Sequence, residues 1–413
     1  MKHFFLFSTL FSFLFSQTIF DSFEQERKNR YRYTEKYEFD DVLNDGKYTV
    51  IVKNFIGDMT LKGHSDRGLS AEIQTTIKTN SEKKAKKVIH KYQILVQHDS
   101  SENIIQIIGP KNQPGRMTFD LALNIPIMTN LQMKSLGGDI TGEKLQGELE
   151  LITAGGDIDL KQINGKGLFK TAGGNIDFKD GEGRFTVLTK GGDVKLKYIE
   201  GKLLAKTAGG DINLSRIVGN AEVSTLGGLI GISNFEGNYL SASTMGGDIH
   251  IRDINGNTKL QSSGGELGIQ NLTGNVVAKT ASGDIELDEV YGLIDCSTTG
   301  GNIYGENIYG GIRAVNQAGD ISIEKKYDKK IKDHSIDLKS LVGNVKLTLP
   351  ENFSTSILLY HSGWDGQNPI DSNFELDRIT EDGYLKAKAT LFEGLYSCKI
   401  QIGESGNIQI NKD

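Results

Sequence analysis

The chain has 413 residues, with 50 glycines, only 5 prolines and a hydrophobic share of 37%. Abundant glycine without proline excludes collagen, which needs both, and favours many tight turns between ladder-forming segments. A formal net charge of −6 leaves no broad basic surface, so no nucleic-acid partner is expected.

At the N-terminus, Lys2 and His3 precede an apolar run from Phe4 to Phe15, with Ser16 as a small residue suited to cleavage. This pattern predicts an export signal over 1–16, its apolar core too short for a comfortable membrane span. No later stretch approaches spanning length. Residues 17–46 are charged and read as a loose linker. Residues 47–134 read as an α+β N-terminal cap, in which 48–62 form one degenerate rung with Gly57-Asp58-Met59 in the motif position. Strand-like stretches follow at 70–79, 93–98, 103–108 and 117–125. Between the first two, Ser81 is a suitable N-cap for a short helix whose apolar side carries Ala85, Val88, Ile89 and Tyr92.

The central stretch, 135–323, is a repeat. A Gly-Gly-acidic-aliphatic signal starts at Gly137 and returns every 18 residues at Gly155, Gly173, Gly191, Gly209 and Gly227. After one extra residue the same step continues through Gly246, Gly264, Ser282, Gly300 and Ala318. A second glycine column runs in phase from Gly147 through Gly165 to Gly310. Between the glycines the period is 2: Ile158 and Leu160 alternate with Asp157 and Asp159, the pattern of strands. A single aliphatic column (Leu145, Ile163, Ile199 and their successors) lies two residues before the second glycine. Each turn therefore reads as two short strands, two glycine corners and five or six inward side chains. The expected fold is all-β, a parallel solenoid of about ten 18-residue rungs stacked about 4.8 Å apart, a rod roughly 50 Å long. A hexapeptide helix and a calcium β-roll fit the spacing less well.

Beyond 323 the phase slips by six residues through a charged loop, 324–334, and Gly343-Asn344-Val345 restores it. Residues 335–413 then hold the final rungs and a β C-terminal cap, where Gly406-Asn407-Ile408 echoes the motif once more. The degenerate Gly-Asp-Met rung, the inserted helix and the serial Thr-x-Gly-Gly-Asp-Ile turns resemble the DUF4097 family of adhesin-type β-strand-repeat proteins, over roughly 48–413. That resemblance implies an envelope or surface role and supplies no catalytic or ligand residues.

Two residue columns could carry chemistry. The acidic corner residues Asp139, Asp157, Asp193, Asp211, Asp248, Asp284 and Asp320 would repel one another down the stack, which a calcium column would relieve. Because Leu229 and asparagines share the slot, the favoured reading is instead that each side chain hydrogen-bonds its own turn. The hydroxyl column Thr153, Thr171, Thr207 and their equivalents has inward parity and is expected to satisfy corner backbone groups. The loop lysines Lys325, Lys326, Lys329 and Lys330 are candidates for docking an anionic polymer, and Trp364 for stacking on sugar rings. Cys296 and Cys398 read as buried, unbridged thiols, and the seven histidines show no metal-ligand spacing.

No catalytic residue and no cofactor is expected. The rungs carry almost no insertions, so no loops wall off a cleft of the kind a polysaccharide-active β-helix enzyme uses. The expected function is a non-enzymatic, exported envelope or surface scaffold, periplasmic, surface-held or secreted, that binds an envelope or extracellular protein or polysaccharide. The alternatives are the polysaccharide-active enzyme and a self-assembling envelope scaffold; the flanking caps point to a monomer or small oligomer.

Overall fold

The computed structural model describes residues 14–15, 20–362, 369–381 and 383–413. The chain divides into two compact units, Met1–Thr189 and Lys190–Asp413. The break falls inside the repeat rather than at 134/135, because the first three regular rungs are continuous with the degenerate rung that precedes them.

In the first unit that degenerate rung is a true rung. Thr49–Phe55 pairs in parallel with Asn130–Ser135, and Met59–His64 pairs with the start of Ile140–Ile152, so Met59 lies against Ile140. Two further rungs, Ile158–Lys170 and Ile176–Leu188, stack in register, with Ile140 opposite Ile158 and Ile158 opposite Ile176. Leu69–Lys78 runs antiparallel to Met117–Pro126 and to Arg30–Phe39, forming the cap.

The expected linker 17–46 is therefore corrected: Phe20–Arg27 and Arg30–Phe39 form an antiparallel hairpin on the cap sheet. Its charges alternate with buried residues. Tyr31, Tyr37 and Phe39 face the interior, while Arg30 and Arg32 pair with Glu26 on the other face at 2.8 and 2.7 Å. The helix forms at Glu82–Lys91 and buries Ala85, but Ser81 makes no side-chain capping bond, so the first turn lacks the expected cap. Leu14–Phe15 pairs with His98 and Gln97; the rest of the expected signal, 1–13 and Ser16, lies outside the described residues.

In the second unit, Val194–Lys206, Ile212–Ser224, Ile230–Ser243 and Ile249–Gln261 stack in parallel. The extra residue is absorbed as a bulge at 237–238, after which Tyr239 pairs with Asn257. Later rungs split into paired short strands, from Leu267–Thr273 with Val276–Lys279 to Ile303–Ile308 with Ile312–Ala318. After the 324–334 loop, Val345 takes its place opposite Ile321, and Ile408 opposite Val345. Thr355–His361 lies between Tyr384–Leu391 and Tyr396–Ser405 and closes the end.

Each rung buries one stripe. In the rung beginning at Gly155 the inward residues are Ile158, Leu160, Ile163, Phe169 and Thr171, and burial of this stripe against the next rung is the main stabilising term. Where Gly167 and Gly181 leave space in that stripe, the rings of Phe169, Phe178 and Phe185 fill it, with centroids 4.8–6.0 Å apart.

The corner count is also corrected, from two to three. A non-glycine residue with φ between +52° and +60° recurs in every rung: Lys144, Gln162, Asp180, Tyr198, Arg216, Asn234, Asp253, Asn271, Glu289 and Asn307. It turns the strand between two inward residues, such as Leu160 and Ile163, that are three apart rather than two. Half of these positions are Asn or Asp, the side chains that tolerate this conformation best. Glycine is required at both glycine columns: a Cβ on Gly156 would lie 2.0 Å from the Gly138 carbonyl oxygen of the rung below, and one on Gly183, at φ +141°, 1.9 Å from the Gly165 carbonyl oxygen.

Candidate functional site

The acidic corner column is a hydrogen-bond ladder between rungs. Asp139 Oδ1 accepts the backbone N–H of Asp157 at 2.8 Å, and Asp157 Oδ1 accepts that of Asn175 at 2.7 Å. The same bond runs from the Asp211 N–H to Asp193 (2.8 Å), from the Leu229 N–H to Asp211 (2.8 Å), and from the Glu266 N–H to Asp248 (2.8 Å). Higher up, Asp284 accepts from Asn302, Asn302 from Asp320, and Asp320 from Asn344. The expectation that each residue serves its own turn is thus corrected: the acceptor acts one rung onward. Asn302 performs the task as well as aspartate does, so the slot selects for an oxygen acceptor rather than for charge. Among the described residues no group of three or more His, Cys, Asp or Glu side chains is placed to hold a metal ion.

The buried hydroxyl column behaves as its inward parity predicts. Thr171 Oγ1 donates to the Gly156 carbonyl at 2.8 Å and accepts the Gly174 N–H at 3.2 Å, and Thr207, Thr225, Thr280 and Thr298 repeat both bonds. Two backbone groups that the corner would otherwise leave buried and unpaired are satisfied in this way. Cys296 and Cys398 are free and fully buried, and burial pushes both thiols up to about 12. Cys398 lies opposite Ile336 and Cys296 opposite Ala314, in neighbouring columns separated by intervening rungs, so no bridge forms.

The lysine loop does not present the four lysines together. Lys325 is fully buried, occupies the aliphatic column opposite Ile308, and donates to the Ile308 carbonyl at 3.0 Å. Its ammonium also lies 3.5 Å from His334 Nδ1, and burial depresses its pKa to about 7. Lys326 pairs with Glu324 at 2.6 Å. Of the four, Lys329 and Lys330 are exposed. The sequence could not show this inversion, because the six-residue slip hides which column Lys325 enters. Trp364 lies outside the described residues.

A groove that sequence reasoning missed crosses the outer face of the second unit. It encloses about 920 Å³ and spans the rungs from Lys195 to Glu306. Its surface comes from two outward columns, one running Lys195, Asn213, Gly231, His250, Gly268, Glu286 and Tyr304, the other Lys197, Ser215, Ser233, Arg252, Gln270, Asp288 and Glu306. The two outward glycines make the depression. A Cβ on Gly268 would stand 2.6 Å from His250 Nδ1, and one on Gly231 would stand 2.9 Å from Asn213 Oδ1, so each polar side chain lies flat across the glycine of the next rung. Glycine at an outward strand position was the signal available in the sequence.

The groove is charged unevenly. Lys195 and Lys197 stand at one end and Arg252 midway, while Glu286, Asp288 and Glu306 at the other end make no salt bridge among the described residues, and Asp288 Oδ1 accepts from Asn307 at 3.0 Å. Burial and then the nearby carboxylates of Asp284, Asp320 and Glu286 raise the pKa of Tyr304. A smaller groove of about 420 Å³ in the first unit differs in that both its carboxylates are paired, Glu148 with Lys166 at 2.6 Å and Glu150 with Lys134 at 2.9 Å, and Arg184 also lines it.

Most of this groove lies in a stretch that matches a known family model. Residues 202–362 are matched by Toastrack DUF4097. The Toastrack segment covers six consecutive rungs of the second unit and the 324–334 loop, in agreement with the resemblance drawn from the repeated corners. No curated protein matches the chain. Two solved structures are similar at low identity. One is a "putative cell adhesion protein" from Clostridium sporogenes ATCC 15579, at 11% identity and TM-score 0.17, covering 92% of this chain and 100% of that one. The other is a "putative adhesin" from Parabacteroides distasonis ATCC 8503, at 13% identity and TM-score 0.28, covering 66% and 97%. At these scores neither informs the function of this chain.

Proposed function

We propose that the protein is exported and acts as a non-enzymatic binding scaffold at the cell envelope or surface, with its ligand lying in the groove of the Toastrack segment. The observation that carries this reading is the groove itself: about 920 Å³ of open surface laid across successive rungs and lined by outward polar side chains. Between Val194 and Ala318 the rungs depart from register by a single inserted residue, so the surface is long and continuous and no loop closes over it. Such a surface suits recognition of an extended partner better than enclosure of a reacting centre, which gains from water exclusion. Export is supported by the basic, apolar and small-residue order of residues 1–16. Among the described residues no helix is long and apolar enough to cross a membrane.

The test is a binding screen of the 17–413 chain against envelope protein and polysaccharide fractions, with product analysis of each polysaccharide after incubation. Saturable binding without turnover is expected, and it should weaken when Gly268→Leu fills the groove. Turnover of a bound polysaccharide would replace this reading with the enzymatic one. Binding untouched by Gly268→Leu would move the site elsewhere.

A further inference from the structure

We infer, on the basis of the binding reading above, that the groove takes an extended glycan carrying free amino groups, laid along the stack so that successive sugar rings meet successive rungs. Three observations select this occupant. First, apart from its charged residues (Lys195, Lys197, Arg252 and three carboxylates), the outward lining is hydroxyl, amide, imidazole and phenol: Asn213, Ser233, His250, Gln270 and Tyr304. Leu196, Leu214, Ile232 and the other aliphatic residues of these strands point inward and are buried. A peptide would find no outward apolar pocket for its side chains, whereas sugar hydroxyls would find a donor or acceptor on each rung.

Second, the spacing fits. Rungs repeat about every 4.8 Å, close to the advance of one ring in an extended β-linked glycan, while an extended peptide advances about 3.3 Å per residue and falls out of step. Third, the charge fits. Glu286, Asp288 and Glu306 stand on two adjacent rungs at one end, with no cationic partner among the described residues. Protonated amino groups on the rings at that end would complement them, while Lys195, Lys197 and Arg252 line the rest of the groove.

The experiment is calorimetric titration of the 17–413 chain, at slightly acidic pH and low salt, with hexamers of glucosamine, N-acetylglucosamine and glucose. The glucosamine hexamer should bind at least tenfold more tightly than the other two. The triple variant Glu286→Gln, Asp288→Asn, Glu306→Gln should lose that preference while melting at the wild-type temperature. A charge-matched variant in the first unit, Glu148→Gln, Glu150→Gln and Glu182→Gln, should keep it, and equal loss there would reduce the effect to net charge and overturn the inference. Equal binding of all three hexamers would overturn the amino-group requirement and leave the scaffold reading standing. Binding of an envelope fraction, lost in Gly268→Leu, with no hexamer bound would overturn the glycan assignment alone. No binding of either kind would remove the scaffold reading with it.

Discussion

An aspartate at a Gly-Gly corner contributes an oxygen to the N–H of the next rung, and its charge is incidental to that bond. Asp157→Asn should therefore leave the melting temperature within a degree or two, because Asn302 makes the same contact in its own rung. Asp157→Ala removes the acceptor for the Asn175 N–H and should cost about 1 kcal/mol, read by denaturant unfolding. Lys325 is the opposite case, a charge-bearing residue in an aliphatic column. With its pKa depressed from 10.5 to about 7, the unfolded chain binds the proton that the folded chain releases between those values. Its destabilising contribution is thus fully present below about pH 7 and fades as pH rises toward 10.5. Neighbouring His334, whose pKa is lowered by burial and by Lys325, adds a further loss of stability as pH falls through the histidine range. Lys325→Met should raise stability at pH 7 by roughly 2–4 kcal/mol and flatten the rise in stability between pH 7 and 10. The Ile308 carbonyl keeps the Lys326 N–H as a donor in that variant.

At the scale of the rung, the two glycine columns and the period of 2 made the strands legible, and the observed boundaries follow them. The third corner was not legible, because Lys144, Gln162 and Tyr198 share no side-chain chemistry; what they share is a backbone conformation. That conformation costs a non-glycine residue roughly 1–2 kcal/mol, less for Asn, whose short amide tolerates it. Gln162→Asn should accordingly stabilise the protein by up to about 1 kcal/mol in a urea titration, since Gln162 is exposed and only its φ of +58° is at stake. The hairpin over Phe20–Phe39 is not legible in the sequence for a related reason. The alternation of its charges with Tyr31, Tyr37 and Phe39 only acquires meaning once a cap sheet is present to bury the aromatic side.

For the whole molecule, register is the quantity that matters. Rungs contact only their neighbours, so removal of one complete 18-residue rung returns every inward residue to its column. Deleting 264–281 should leave a cooperatively unfolding β protein, with Ile249 now opposite Ile285, while deleting nine residues from the same rung should abolish the cooperative melt. Circular dichroism and thermal unfolding separate the two outcomes. Parallel strands, the number of rungs and the inward columns followed from sequence alone, because an 18-residue period puts equivalent residues in register when the rungs stack. Tertiary structure decided where single side chains act. It showed which rung an aspartate serves, that Lys325 turns inward after the slip, and that Gly231 and Gly268 open a groove over polar side chains from other rungs. The physical reason is distance along the chain: periodicity fixes what each residue faces within its own rung, whereas these contacts join residues 18 or more positions apart and exist only after the rungs have stacked.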